Sequence, residues 1–155
     1  MAYIQTKSTG GLGTILQIDG GAGFVASPPT WVTIGEIKNL KKTGDMNETD
    51  DATNLSSAAR EFIATIRNCG SWDLTVNRVP NDAGQVLLQS AFTQRVAARC
   101  QIVLPLEAGQ TVAGDAFAFN AIVEKLMISN IEPSKIIPLE AALKITGQEY
   151  YTPGS

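Results

Sequence analysis

The carboxylates of Asp45, Glu48, Asp50 and Asp51 are the densest set of potential ligands in the chain, and oxygen donors of this kind are what a calcium ion takes. The pattern departs from a calcium-binding loop, because Gly44 precedes the acids and no bidentate glutamate closes the run. A solvated acidic loop is the simpler reading, and no metal is expected. Glu107, Asp115, Glu124 and Glu140 could supply a general acid and base, but they fall on separate elements and the sequence brings no two together. Gly20, Gly21 and Gly23 could cradle a phosphate. Neither a Lys-Ser/Thr pair nor a helix start follows, so they read as a turn. Trp31 and Trp72 could stack on a sugar, although on strands such rings more often pack in a core or interface.

What is missing narrows the chemistry further. The chain has no histidine, which removes Ser-His-Asp and Cys-His nucleophiles and histidine-bound zinc. Its two cysteines, Cys69 and Cys100, lack metal-ligand spacing and read as reduced, buried apolar residues. No catalytic or cofactor-binding residue is nominated, and a non-enzymatic protein is expected. With 15 acidic against 12 basic residues the net charge is −3, the wrong sign for gripping nucleic acid through its phosphates. The cluster Lys38, Lys41 and Lys42 runs straight into the acidic segment and reads as solvated surface. No apolar run is long enough to span a membrane, and the start of the sequence carries no secretory pattern, so a cytoplasmic protein is expected.

The elements that must position these residues are mostly strands. At 155 residues and 44% apolar content, one domain with one core is expected. Residues 1–13 read as a flexible arm, 14–148 as the folded domain and 149–155 as a tail. Thr14–Ile18 has strand character. Trp31 to Lys42 reads as a second strand that bends near Gly35, because Val32 and Ile34 differ in parity from Ile37. The stretch from Thr43 to Ser57 is polar and aperiodic, and a loop this long inside a compact domain is usually functional or disordered. Trp72, Leu74 and Val76 share one strand face. Asp82 is placed to cap a helix ending near Gln94, with Gln85 closing a capping box and Leu88 and Phe92 facing the core. Val96 to Leu104 alternates. The apolar face Phe117, Phe119, Ala121, Val123 changes parity at Glu124-Lys125, which predicts a bulge or a change of sheet. Ile137 to Ile145 gives the cleanest alternation. The whole is read as mainly β: an antiparallel β-sandwich or partly closed barrel with one flanking α-helix.

The order of these features resembles the major tail tube proteins of lambda-like siphophages. The likeness is carried by Gly13-Thr-Ile-Leu-Gln-Ile, Trp31-Val-Thr-Ile-Gly-Glu-Ile-Lys-Asn, the acidic loop and Arg60-Glu-Phe-Ile. It continues through Gly70-Ser-Trp-Asp-Leu-Thr-Val, the Asn81-Asp-Ala-Gly-Gln-Val-Leu-Leu helix start and the closing Pro138-Leu-Glu-Ala-Ala-Leu-Lys-Ile-Thr-Gly. The resemblance implies a fold shared with type VI secretion tubes, and hexameric rings stacked into a hollow tube through which double-stranded DNA passes unbound. It implies tape measure, tail terminator and tail tip proteins as further partners, and a place in the virion after assembly in the host cytoplasm. It also implies contact between subunits or rings through the long loop, at Thr43, Asp45, Met46, Asn47, Glu48, Asp50, Asp51, Asn54 and Leu55, and through both terminal arms. Exposed strand edges fit this picture, since an unpaired edge invites another chain. The rivals are a single-ring terminator, connector or secretion-tube subunit, a carbohydrate-binding sandwich, and a carboxylate hydrolase.

Overall fold

A strand with one apolar face must cover it. In the computed structural model, which describes residue 11 and residues 13–155, one antiparallel sheet curls around its own apolar face. The strands are β1 (Ile15–Asp19), β2 (Trp31–Ile34), β3 (Ile37–Thr43), β4 (Met46–Asp51), β5 (Phe62–Asn68), β6 (Ser71–Asn77), β7 (Ala97–Val103), β8 (Ala116–Ile128) and β9 (Pro138–Thr152), with helix α1 at Ala83–Gln94. Seven of them pair in the order β2-β1-β7-β8-β9-β6-β3, while β4 and β5 form a separate ribbon. The mainly β, antiparallel fold with one helix is therefore as expected, but a single open sheet takes the place of two stacked ones.

The two outermost strands of this sheet, β2 and β3, are consecutive in the chain, with only Gly35 and Glu36 between them. The expected bend near Gly35 is thus the seam where the sheet's ends meet without a ladder between them. Helix α1 packs over β2, β1 and β8 beside the seam. Its Gly84 lies so close to β2 that a Cβ there would stand 2.5 Å from the Thr33 carbonyl oxygen, which only glycine permits. Asp82 caps the helix by accepting from the Gln85 N–H at 3.0 Å, and its carboxylate also accepts from Gly35 N–H at 3.1 Å.

Gln85 does not close the predicted capping box. Its amide turns away to accept from Val79 N–H (3.0 Å) and to donate to the carbonyls of Gly35 (3.2 Å) and Asn77 (3.0 Å). Three otherwise unpaired backbone groups at the seam outcompete one helix-cap N–H.

The core follows the alternation. Leu16 and Ile18, Leu74 and Val76, Ala98, Cys100 and Ile102, Phe119 and Ala121, and Leu143 are buried on their respective strands, with Leu88 from the helix. The register slips between Val123 and Lys125, so Glu124 is the extra residue and the predicted bulge is present. Strand β9 joins the β2-β1-β7-β8 half of the sheet to the β6-β3 half. Both Cys69 and Cys100 are free thiols, buried.

Two predicted segments differ. The C-terminal tail begins inside β9, which runs to Thr152, and Ser155 folds back so that its carbonyl accepts N–H groups of Thr111, Val112 and Ala113 at 2.9, 2.8 and 3.2 Å. Tyr151 and Gly154 add hydrogen bonds of 2.8 Å each to Asp115, which the charge and period of the tail did not reveal. The predicted loop from Thr43 to Ser57 contains a strand, Met46–Asp51, as described below. The predicted N-terminal arm, apart from Gly11 and Gly13, lies outside the described residues.

Candidate functional site

The acidic segment forms β4, which pairs antiparallel with β5. The ladder runs from Met46 opposite Asn68 out to Asp51 opposite Phe62, and Ala52 N–H to Glu61 C=O at 2.8 Å extends it toward the tip. Every residue of β4 and β5 is exposed. This ribbon is therefore an arm about 20 Å long, taking roughly 3.3 Å per strand residue, whose inner half shares a cleft with Ile145, Gly147 and Gln148 of β9. A polar, acidic β4 forms a strand because its partner carries the β-formers, Phe62, Ile63, Thr65 and Ile66. Read alone, β4 lacks the period that would reveal it.

The arm has an apolar face. Between Asn47 and Thr49 the register slips, so that Thr65 and Ile66 together oppose Glu48. The slip sets Ile66 on the same side as Ile63 and Met46, and these residues are 71%, 54% and 61% exposed. Leu55, at the tip, is fully exposed. An isolated two-stranded ribbon is marginal in water, and this one shows solvent a stripe that burial would stabilise. Covering the three half-exposed stripe side chains would contribute about 1–2 kcal/mol each.

The root of the arm is rigid. Gly44 and Gly70 lie side by side with φ of 77° and 76°. A Cβ on Gly70 would fall 2.0 Å from the Thr43 carbonyl oxygen. Asp45, at the start of the arm, accepts from Arg67 Nε and a terminal nitrogen at 3.0 and 2.8 Å, a two-pronged pair across the ribbon. Lys42 of β3 reaches the same carboxylate at 2.9 Å and also bonds Glu149 of β9. Arg67 and then Lys42 hold the Asp45 carboxyl well below the usual range. Burial opposes the charge on Lys42, but Glu149 and Asp45 outweigh it and raise its ammonium above the ordinary value. This clasp ties both strands of the arm to β3 and β9, and Lys42 also lies over the Trp72 ring, 5.7 Å from its centroid.

Among the nominated contact residues, Met46, Asn47, Glu48, Asp50 and Asp51 lie on β4, and Asn54 and Leu55 lie at the tip. Thr43 ends β3, and Asp45 belongs to the clasp. The structure adds Phe62, Ile63 and Ile66 on β5, together with Lys42, Arg67 and Glu149. The apolar run Phe62-Ile63 beside the acidic segment was the available signal for the former. The latter three come together only through the sheet, which links residues 42, 67 and 149.

The other candidate chemistry does not assemble. Among the described residues no group of three or more His, Cys, Asp or Glu is arranged to hold a metal. The Gly-rich turn is occupied by its own acid: Asp19, fully buried, accepts from Gly21 and Thr30 N–H at 2.8 and 3.2 Å, donors a phosphate would need. Glu124 faces Lys144 at 3.8 Å, Glu140 faces Lys125 at 3.3 Å, and Asp115 is engaged by Gln110, Tyr151 and Gly154. Trp31 and Trp72 are each half-buried.

A mainly β fold with one antiparallel sheet and one helix is shared with phage-tail and injection-system tube proteins. A chain from the six-fold-symmetric tail of an empty gene transfer agent particle superposes with a TM-score of 0.71 at 15% identity, covering 94% of this chain and 99% of the other. The SPP1 tail tube gives 0.67 at 13% identity over 92% and 77%. A type six secretion system protein gives 0.58 at 16% over 89% and 81%. No protein-family model and no curated sequence matches the chain.

Proposed function

We propose that this chain is the structural subunit of a tail tube, in which hexameric rings of identical copies stack into a hollow conduit for DNA. One observation carries the reading: a ribbon exposed along its whole length, with an apolar stripe and a rigid root, on a body with the tube-protein fold. An element that must be covered, repeated on every copy, is satisfied head to tail by the next copy, which yields rings or filaments. The sheet edges are less suited to joining. Strand β2 has 4 residues, and β3 carries a bulge at Lys38 and three lysines, the features that keep edges from pairing.

One row on the outer face of the sheet suits passage of a polyanion. Gln17 links Thr33 and Gln101 through side-chain bonds of 3.3 Å each, an uncharged row across β2, β1 and β7 that offers phosphates nothing to hold. The sequence likeness to lambda-like siphophages favours a long non-contractile tail, with tape measure, terminator and tip proteins as partners, assembled in the host cytoplasm and carried in the virion. The role is structural, with no catalysis. A ring that never stacks is the second reading, favoured by likeness to a tube-terminating cap at TM-score 0.68.

Electron microscopy of the concentrated full chain tests the choice, since hollow filaments are expected and isolated rings would favour the cap. Because Asn47 and Arg67 are paired, Glu48 to Ile66 can be replaced by a short turn that keeps the clasp and the buried Cys69. That variant should remain a folded monomer without filaments, and filaments of ordinary length from it would refute the role given to the arm.

A further inference from the structure

Strands β3, β6 and β9 fix two ends of the body. At one end Ser71 pairs with Thr43 and Lys144, next to the root of the arm. At the other, Asn77 pairs with Pro138 and Val76 with Ile37. Residues 78–80 and 129–137 therefore lie at the pole opposite the arm.

That pole carries its own exposed apolar residues, Ile131 at 71% and Ile136 at 69%. Ile136 lines a cleft of about 450 Å³ together with Lys38, Asn77, Asn130, Glu132, Lys135 and Pro138. The charges of the two ends complement each other. Among the described residues, the arm's Glu48, Asp50, Asp51 and Glu61 have no salt-bridge partner, against one such cation, Arg60. At the pole, Lys38 and Arg78 make none, while Lys135 is paired with Glu132 at 3.0 Å and Glu36 is engaged by Asn77. Acids without an ion-pair partner thus predominate on the arm, while at the pole Lys38 lines the cleft and Arg78 lies next to it, on the neighbouring cleft of Val79 and Gln85.

Resting on the tube reading, we propose that the cleft beside Ile136 is the socket for the arm tip of a second copy. Leu55 of one subunit enters the cleft of the next, while the arm carboxylates face Lys38 and Arg78. Because arm and socket lie at opposite ends of one body, each docking presents a fresh arm and a fresh socket, and the contact propagates along an axis. The unlike charges steer the encounter, so salt slows it.

Disulfide trapping in the full chain decides the matter. The native Cys69 and Cys100 are buried and stay out of the reaction. Oxidation of a chain carrying both Leu55→Cys and Ile136→Cys is expected to give a ladder of covalent multimers. A mixture of the two single variants should stop at dimers. In parallel, Lys38→Glu with Arg78→Glu should slow wild-type assembly at low salt by tenfold or more, and adding Asp50→Lys with Asp51→Lys should restore it. Hollow tubes without a ladder would overturn the socket and leave the tube reading standing. A ladder without tubes would keep the socket and overturn the tube. Neither product would overturn both.

Discussion

Replacing Gln85 with alanine tests the account of the seam most directly. The Gln85 side chain is 6% exposed and makes three hydrogen bonds, to Val79 N–H, Gly35 C=O and Asn77 C=O. It thereby pins the helix, the β2–β3 link and the end of β6 at one point. A typical internal hydrogen bond contributes about 1 kcal/mol net, so three lost bonds cost about 3 kcal/mol. A cleft of about 230 Å³ beside Val79 and Gln85 lets water reach the freed groups, which keeps the loss near this figure and below the full cost of orphaned buried groups. For a chain of this size roughly 2–4 °C is lost per kcal/mol, giving a Tm drop of about 6–12 °C. Gln89→Ala, on the exposed side of the same helix, should change stability by less than about 0.5 kcal/mol. Thermal unfolding followed by circular dichroism reads both, and a Gln85→Ala shift below about 2 °C would show that the amide does not staple the seam.

Gly70→Ala should swing the arm from its seat while the body stays folded, because the added methyl meets the Thr43 carbonyl; unchanged filament assembly would contradict this. The clasp gives an acid dependence. Asp45 has its folded-state pKa lowered by Arg67 and Lys42, so its contribution is complete above the ordinary carboxylate pKa of about 4 and fades as pH falls below that value. Wild type should therefore lose stability more steeply than Asp45→Asn below pH about 4, with the difference shrinking in salt, as urea titrations can show. Burial pushes the Cys100 thiol up to about 12, so a thiol reagent at pH 8 should leave it untouched in the native protein and react on unfolding. Reaction at the rate of an open thiol would contradict the packing of β7.

Much of the body was legible because its strands are half-buried and alternate. Leu74 and Val76, the run from Ala98 to Ile102 and the parity break at Glu124 all announce themselves through period. The arm was legible only by its oddity. Strand β4 lacks an apolar face of its own, and its order comes from pairing with Phe62, Ile63 and Ile66, so a one-strand pattern has nothing to display. The clasp was hidden for another reason. Lys42 and Asp45 look like surface charges in sequence, and only the β3-β6-β9 arrangement brings Glu149 beside them. Gln85 shows a correct residue with a different task, since the seam that claims its amide exists only once the sheet has curled.

Strand β9 comes after the other described strands in the chain, yet it lies inside the sheet, between β8 and β6. The ribbon, Met46 to Asn68, precedes it in the chain, but both its clasp to Glu149 and the joining of the two half-sheets depend on this strand. The pole facing that ribbon is also unfinished until Pro138 meets Asn77. Body, clasp and opposite pole are therefore completed together, by residues 138–149 of one strand.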